Sequence, residues 1–130
     1  MRPCGFFQFS IGHPCFYTPH HKNLRDETGR TYAFEVGDYF RKREGEVEEW
    51  IFGASPPEVQ EGLRAFRVPL FTRTLSEWLN SLVGAGFELE RFGEPCPTDE
   101  AVRERPNLQD AQVVEYFLHV RARKPAGTTV

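Results

Sequence analysis

A capped helix followed by a strand places the strongest limit on how this chain of 130 residues folds. Thr74-Leu75-Ser76-Glu77 fits a capping box, in which a hydroxyl and a carboxylate bind the free amides at the start of a helix. Apolar residues then recur on one helical stripe. They are Leu75, Trp78, Leu79, Leu82 and Val83. Gly86 can adopt the left-handed conformation that ends a helix. A helix with one apolar face needs a sheet or another helix to cover that face.

Alternating polarity predicts strands on both sides of this helix. Residues 5–11 carry apolar side chains on both faces, which predicts a largely buried strand that ends before Pro14. Alternation predicts further strands at residues 46–52, 68–72, 87–94 and 113–124. Residues 36–43 favour a short helix, whereas the turn-forming residues in 17–31 and 56–62 favour surface loops.

Composition narrows the class of protein. Hydrophobic residues make up 39% of the chain, charged residues 27%, and the formal net charge is −3. These values exclude an intrinsically disordered chain and a polybasic arm that binds nucleic acid. Three cysteines are too few for a disulfide scaffold, and no apolar run reaches the roughly 18 residues of a membrane-spanning helix. The N-terminus does not read as a signal peptide, so a cytoplasmic location is expected.

Three segments of the chain, taken in order, carry a family resemblance. Residues 5–16, GFFQFSIGHPCF, match a strand and the turn after it. Residues 73–87, RTLSEWLNSLVGAGF, match a helix and the start of the next strand, whose end is matched by Glu94-Pro95. Residues 117–124, FLHVRARK, match a final strand. Together these segments resemble the C-terminal half of a class I S-adenosylmethionine-dependent methyltransferase.

The resemblance implies an α/β fold, namely the C-terminal portion of a Rossmann-like, doubly wound sheet with its last three strands. In that family the final strand inserts antiparallel between the fifth and the sixth strands. Residues 1–130 would form a single, partial domain, with 14–72 as an inserted lid on the substrate side and 125–130 as a frayed tail. The strand edge from Phe6 to Ile11 would lie open, because it pairs with the fourth strand in the family. An open, apolar edge favours pairing with a missing N-terminal half or with a second copy of the chain.

The resemblance also implies S-adenosylmethionine as the cofactor and a small molecule as the substrate. The family binds the cofactor in its N-terminal half, through a Gly-rich turn and an acidic residue. The motif Gly84-Ala85-Gly86 of this chain follows a helix and favours a helix stop, so we expect weak or absent cofactor binding by the chain alone.

The sequence is consistent with two functions. One is the substrate-side half of a methyltransferase, inactive alone, and the other is a non-catalytic module that binds through its open edge.

Candidate site residues lie in the turn after the first strand, which the resemblance places near the methyl-transfer pocket. His13 is a candidate general base or substrate contact, because imidazole exchanges protons near neutral pH. Cys15 and Phe16 share that turn and are candidate substrate contacts. Tyr39, Trp50 and Arg73 are the further candidates for the substrate pocket. The alternatives are structural: His13 would bond the backbone of its turn, and Tyr39 would pack on the sheet.

The sequence does not predict a metal site or a nucleic-acid surface. The available thiols and imidazoles are Cys4, His13, Cys15, His20, His21 and Cys96. Structural zinc sites favour paired ligands at short spacing, and these spacings are irregular. Residues 41–49 are charge-dense but mixed in sign, which is typical of a solvated surface and not of a phosphate-binding stripe.

Overall fold

The computed structural model describes residue 2, residues 4–50 and residues 66–126. The elements in chain order are β1 (Phe6–Gly12), β2 (His20–Arg25), β3 (Thr31–Gly37), β4 (Glu44–Trp50), β5 (Phe66–Phe71), α1 (Leu75–Gly84), β6 (Glu88–Gly93), α2 (Asp99–Glu104), a 3-10 helix (Pro106–Gln112) and β7 (Phe117–Arg123). In these ranges the strands form one three-stranded sheet and two two-stranded sheets. No helix in the described part of the chain is long and apolar enough to cross a membrane.

Strand β7 is the centre of the three-stranded sheet. It lies between β1 and β6 and runs antiparallel to both. Every second side chain of β7 is buried, because successive residues of a strand point to opposite faces. Leu118, Val120 and Ala122 are 5%, 1% and 0% exposed. With Leu70 on β5 they make up the buried hydrophobic residues of the described ranges, so β7 supplies most of the core.

Helix α1 forms where the capping box and the apolar stripe predict it, so this prediction is confirmed. The Oγ1 atom of Thr74 accepts from the Glu77 amide at 3.2 Å, and the Glu77 carboxylate bonds back to the Thr74 amide. Gly86 follows the helix with a φ of 89°, as its role as a helix stop requires. The helix covers one face of the sheet, where the ring centroid of Trp78 lies 6.1 Å from that of Phe9.

Strand β1 is more exposed than its sequence predicts, so the expectation of a largely buried strand is wrong. Phe6 and Phe7 are 53% and 43% exposed. The physical reason is that β1 stands at the edge of the sheet, and that Phe6 lies on the face opposite to the one on which Phe9 contacts Trp78 of α1. On the opposite face the guanidinium of Arg121 lies 4.3 Å from the Phe6 ring centroid, a cation–π contact that shields part of this ring.

The hairpin of β2 and β3 corrects two further predictions. Residues 17–31 are not simply a loop, because they contain β2, and residues 36–43 are not a helix, because they continue out of β3. The turn of the hairpin closes on Asp26, whose Oδ1 atom accepts from the amides of Thr28 and Arg30 at 2.9 and 3.0 Å. Gly29 completes the turn with a φ of 84°, a conformation that glycine adopts without strain.

The remaining elements follow the sequence patterns. The strands predicted at 46–52 and 68–72 are confirmed as β4 and β5, which pair antiparallel, although residues 51–52 lie outside the described residues. The loop predicted at 56–62 also lies outside them. The strand predicted at 87–94 is confirmed as β6, and the one predicted at 113–124 is confirmed but begins later, at Phe117.

The hydrogen-bond ladder fixes which amides of β1 face the open edge. The His13 amide, at the end of β1, donates to the Tyr116 carbonyl at 2.9 Å. Facing residues in an antiparallel ladder alternate between bonded and non-bonded pairs. The amides that point toward β7 are therefore those of Phe7, Phe9 and Ile11. Those that point outward are the amides of Phe6, Gln8 and Ser10.

We expect the outward amides of β1 to exchange with solvent at least about tenfold faster than the inward ones, because local opening is not needed to expose them. Hydrogen exchange followed by amide NMR, at a concentration where the chain is monomeric, measures both sets in one sample. Equal protection of Gln8 and Phe9 in the monomer would contradict the open edge.

Candidate functional site

Three segments meet beside the carboxyl end of β1 and enclose a cavity of about 370 Å³. They are the turn after β1, the β2–β3 hairpin and the segment that leads into β7. The principal lining residues are Phe16, Tyr17, His21, Asn23, Phe34 and Tyr116. A volume of this size lies in the range of sites for small molecules.

Aromatic rings form a continuous wall of the cavity. Phe16 meets Phe34 edge-on, with ring centroids 6.4 Å apart. His21 stacks on Phe34 with ring centroids 6.1 Å apart, and the Tyr17 ring centroid lies 5.2 Å from that of His21. Centroid distances in this range are typical of attractive aromatic pairs, so these side chains pack against one another and form one surface of the cavity.

Hydrogen bonds to the 3-10 helix hold the hairpin in place over the cavity. The Gln109 side chain pairs with the Thr31 backbone in both directions: it accepts from the Thr31 amide at 2.9 Å and donates to the Thr31 carbonyl at 2.7 Å. The neighbouring Asp110 carboxylate accepts from the Thr31 hydroxyl at 2.5 Å and from Arg25 at 3.1 Å. Thr31 is only 2% exposed, so its bonds are shielded from competing water.

Two polar side chains stand in the cavity wall beside the rings. Burial raises the pKa of the Tyr116 phenol, partly opposed by its hydrogen bond to Asn23, so the hydroxyl stays protonated at neutral pH. The Nδ2 atom of Asn23 also lies 3.5 Å from a carboxylate oxygen of Asp110. The Oδ1 atom of the same amide is buried and has no hydrogen-bond partner among the described residues.

His13 is buried, and both of its ring nitrogens are bonded. Nδ1 accepts from the Cys15 amide at 3.2 Å, because an amide N–H can only donate. Nε2 therefore carries the proton and donates to Glu94 at 2.8 Å. The ring thus ties the turn after β1 to the residue after β6. This geometry favours a positioning role, and the general-base role of His13 stays a hypothesis.

His13, Glu94 and Glu115 also bring three potential metal ligands within 4.8 Å of one another. A metal at Nε2 of His13 would force the ring proton onto Nδ1, where the Cys15 amide already donates. The arrangement of donors therefore fits a hydrogen-bonded pair better than a metal centre.

Cys15 and Tyr39 lie next to each other near this turn. Burial raises the pKa of the Cys15 thiol, opposed by a hydrogen bond to Tyr39 and reinforced by the charges of Glu94 and Glu115. A thiol with a raised pKa is a poor nucleophile, because the thiolate is the reactive form. The Tyr39 hydroxyl accepts from the Leu75 amide at 2.8 Å and so helps to cap α1.

Besides Tyr39, which caps α1, the candidate residues from the sequence divide into three groups. Phe16 lines the cavity, and His13 and Cys15 belong to the turn beside it. Arg73 pairs with Glu44 at 3.4 Å and lines a separate cavity of about 180 Å³ between β1 and α1. Trp50 ends β4, and its side chain lies outside the described part of the structure.

Sequence reasoning missed several residues of the cavity wall: Tyr17, His21, Asn23, Phe34 and Tyr116. One usable signal was present. Tyr32, Phe34 and Val36 alternate with more polar or smaller residues directly after the turn at Asp26, a pattern typical of the second strand of a hairpin.

We expect Cys15 to react with iodoacetamide at pH 8 at least about tenfold more slowly than Cys4 and Cys96, which are exposed. Its raised pKa lowers the thiolate fraction, and its partial burial limits access. Mass spectrometry of timed digests measures all three thiols in the same sample, so the exposed pair is the internal control. A rate at Cys15 equal to or above theirs would contradict the assigned environment.

Comparisons with known proteins show which solved structures this chain is similar to. No protein-family model and no curated protein matches the chain. An S-adenosylmethionine-dependent methyltransferase from Mesorhizobium loti is similar in structure, with 29% identity, a TM-score of 0.63 and coverage of 93% of this chain and 49% of its own. A protein from Listeria monocytogenes, provisionally assigned to the same kind of enzyme, has 24% identity and the same TM-score, with coverage of 95% and 50%.

The chain spans about half the length of these similar structures. Coverage of one half is consistent with the C-terminal portion that the three sequence segments indicate. The resemblance inferred from the sequence is therefore confirmed, and the chain has the α/β fold of a portion of the S-adenosylmethionine-dependent methyltransferases.

Proposed function

We propose that this chain is the substrate-side portion of a methyltransferase that uses S-adenosylmethionine, and that the cavity beside β1 holds the methyl acceptor. The observation that carries the proposal is the fold shared with the Mesorhizobium loti enzyme over 93% of this chain. The position of the cavity supports it, because ligands of open α/β sheets bind at the carboxyl ends of strands.

The cavity supplies what a methyl acceptor needs. Methyl transfer depends on an oriented acceptor and on the exclusion of water, and it does not require a covalent intermediate with the protein. The aromatic wall gives the cavity an apolar lining, and the bonds of Thr31 to Gln109 and Asp110 tie the hairpin that carries Phe34 to the 3-10 helix. The bonded ring of His13 and the protonated thiol of Cys15 suit such a site, because neither has to act as a nucleophile.

The glycine motif of this chain does not favour a role in holding the cofactor. The sequence contains one G-x-G, at Gly84-Ala85-Gly86. A side chain added at Gly84 would meet no atom within 4 Å, and Gly86 serves as a helix stop, so neither glycine cradles a ligand. In our proposal S-adenosylmethionine is held by a part of the fold outside these residues, and this chain alone transfers no methyl group.

The open edge of β1 is the proposed joint with that cofactor-binding portion. Its outward amides and half-exposed Phe6 and Phe7 form a surface on which another strand can pair. The same surface favours a second candidate function, a non-catalytic module that pairs with a second copy of itself. The two candidates differ in whether methyl transfer follows assembly.

The test is a chimera that joins this chain to the half of the Mesorhizobium loti protein that the chain does not match. We expect this chimera to transfer radiolabelled methyl groups from S-adenosylmethionine to members of a panel of small phenols, amines and thiols. The chain alone should transfer none. Transfer by the chain alone would overturn the proposed division of the site, and a chimera that binds the cofactor but methylates nothing would favour the binding module.

Phe34→Ala in this chimera should lower kcat/KM for the acceptor about tenfold, because the aromatic wall loses a ring. The Kd for S-adenosylmethionine should stay unchanged. Val83→Ala, on the exposed face of α1, is the control and should leave both values unchanged. A Phe34→Ala effect on cofactor affinity alone would contradict the placement of the acceptor.

A further inference from the structure

We propose that Glu94 is a positioning residue that shapes the cavity beside β1 by acting through the ring of His13. The pair holds the turn of residues 13–17, which carries Phe16 and Tyr17 in the cavity wall. This inference deepens the proposed function, because it identifies a residue that shapes the acceptor site without lining it. It rests on the proposed function only for the role of the ligand, since the positioning itself is argued from contacts within this chain.

The backbone of the turn is organised around His13. Its carbonyl accepts from the amides of Phe16 at 3.0 Å and Tyr17 at 2.8 Å, and its own amide donates to the Tyr116 carbonyl at 2.9 Å. Phe16, Tyr17 and Tyr116 all line the cavity. The places of three wall residues therefore depend on the conformation of the turn at His13.

The side chain of His13 closes the same turn a second time. Its Nδ1 atom accepts from the Cys15 amide at 3.2 Å, and its ring centroid lies 4.9 Å from that of Phe16. A half-turn of the ring would replace Nδ1 by a carbon atom, which cannot accept a hydrogen bond. Whatever fixes the orientation of the ring therefore also fixes the turn.

Glu94 supplies the hydrogen bond that fixes this orientation. β1 and β6 are parallel to each other, because each is antiparallel to the β7 strand between them, so their carboxyl ends lie at the same end of the sheet. Glu94 directly follows β6, and its carboxylate accepts from Nε2 of His13 at 2.8 Å. The bond thus joins the two outer strands of the sheet beside the cavity.

The two side chains differ in burial, and this difference separates positioning from general stability. The His13 side chain is 6% exposed, so without Glu94 its Nε2–H group would lose its partner in a place that water barely reaches. Rotation of the ring would relieve this loss but break the bond to Cys15. The Glu94 side chain is 49% exposed and makes no other hydrogen bond among the described residues, so its removal leaves the core intact.

Hydrogen exchange followed by amide NMR tests the proposal on the chain as it stands. Glu94→Leu should accelerate exchange of the Cys15 amide at least about tenfold, because the ring is no longer held against it. The amide of Val120, in the centre of the sheet, should keep its rate. Glu94→Gln should restore the protection of Cys15, because an amide oxygen accepts a hydrogen bond as a carboxylate does. An unchanged Cys15 rate, equal acceleration at Val120, or no rescue by Glu94→Gln would overturn the proposal.

Glu115→Leu is the matched control. The Glu115 carboxylate lies within 4.8 Å of the ligand atoms of both His13 and Glu94 but makes no hydrogen bond to either in the described structure. This variant removes a similar charge from the same neighbourhood and should leave Cys15 exchange unchanged. Acceleration as large as in Glu94→Leu would show that charge and not the hydrogen bond matters, and would overturn the proposal.

The ring nitrogens of the unmodified chain provide a test that does not depend on whether the variants fold. At pH 8 a long-range proton–nitrogen NMR spectrum should show His13 protonated at Nε2 alone, as the bonds to Cys15 and Glu94 require. Protonation at Nδ1, alone or together with Nε2, would overturn the proposal.

These measurements contain neither cofactor nor acceptor, so they separate the inference from the proposed function. The expected exchange pattern, together with a chimera that methylates nothing, supports the positioning and overturns its role in methyl transfer. In an active chimera, Glu94→Leu should raise KM for the acceptor about tenfold while the Kd for S-adenosylmethionine stays unchanged, and Glu94→Gln should restore KM. An active chimera whose KM does not respond to Glu94→Leu would overturn the inference alone.

Discussion

The pairing of β7 with a strand on each side organises the three-stranded sheet. Its buried residues, Leu118, Val120 and Ala122, can be covered on one face only if β1 and β6 extend the sheet beneath α1. The same pairing brings the turn after β1 next to the residues that precede β7. The cavity beside β1 is therefore a consequence of how the core is built.

A second, polar constraint completes the cavity. The β2–β3 hairpin is held by side chains of the 3-10 helix that lie 78 and 79 residues further along the chain from Thr31. Paired hydrogen bonds of this kind fix orientation more than they add stability, because folding exchanges them for bonds to water. In this protein the hydrogen bonds of Thr31 orient the hairpin, so we expect the cavity wall to change little in conformation when a ligand binds.

Local signals account for the parts of the fold that the sequence predicts. The Thr74 capping box, the helical stripe and Gly86 each act within a few residues, so α1 and β6 could be placed without knowledge of the rest. The hairpin could not be placed so easily, because β2 is polar on both faces and its partner Asp110 is remote in sequence. The sequence pattern overestimates the burial of β1. Apolar side chains on both faces of a strand indicate that both faces can be covered, but they do not indicate that a covering element lies on each face. For the site, Phe16 followed from the family resemblance, whereas Asn23 and Phe34 became visible only through the fold.

We propose that this chain folds as a unit that binds the methyl acceptor, and that S-adenosylmethionine is held by a different portion of the fold. The most direct test is a two-dimensional amide NMR spectrum of the purified chain, recorded with and without S-adenosylmethionine. We expect dispersed signals that do not move when the cofactor is added. Shifts on addition of S-adenosylmethionine, or a collapsed spectrum without the cofactor, would contradict the claim.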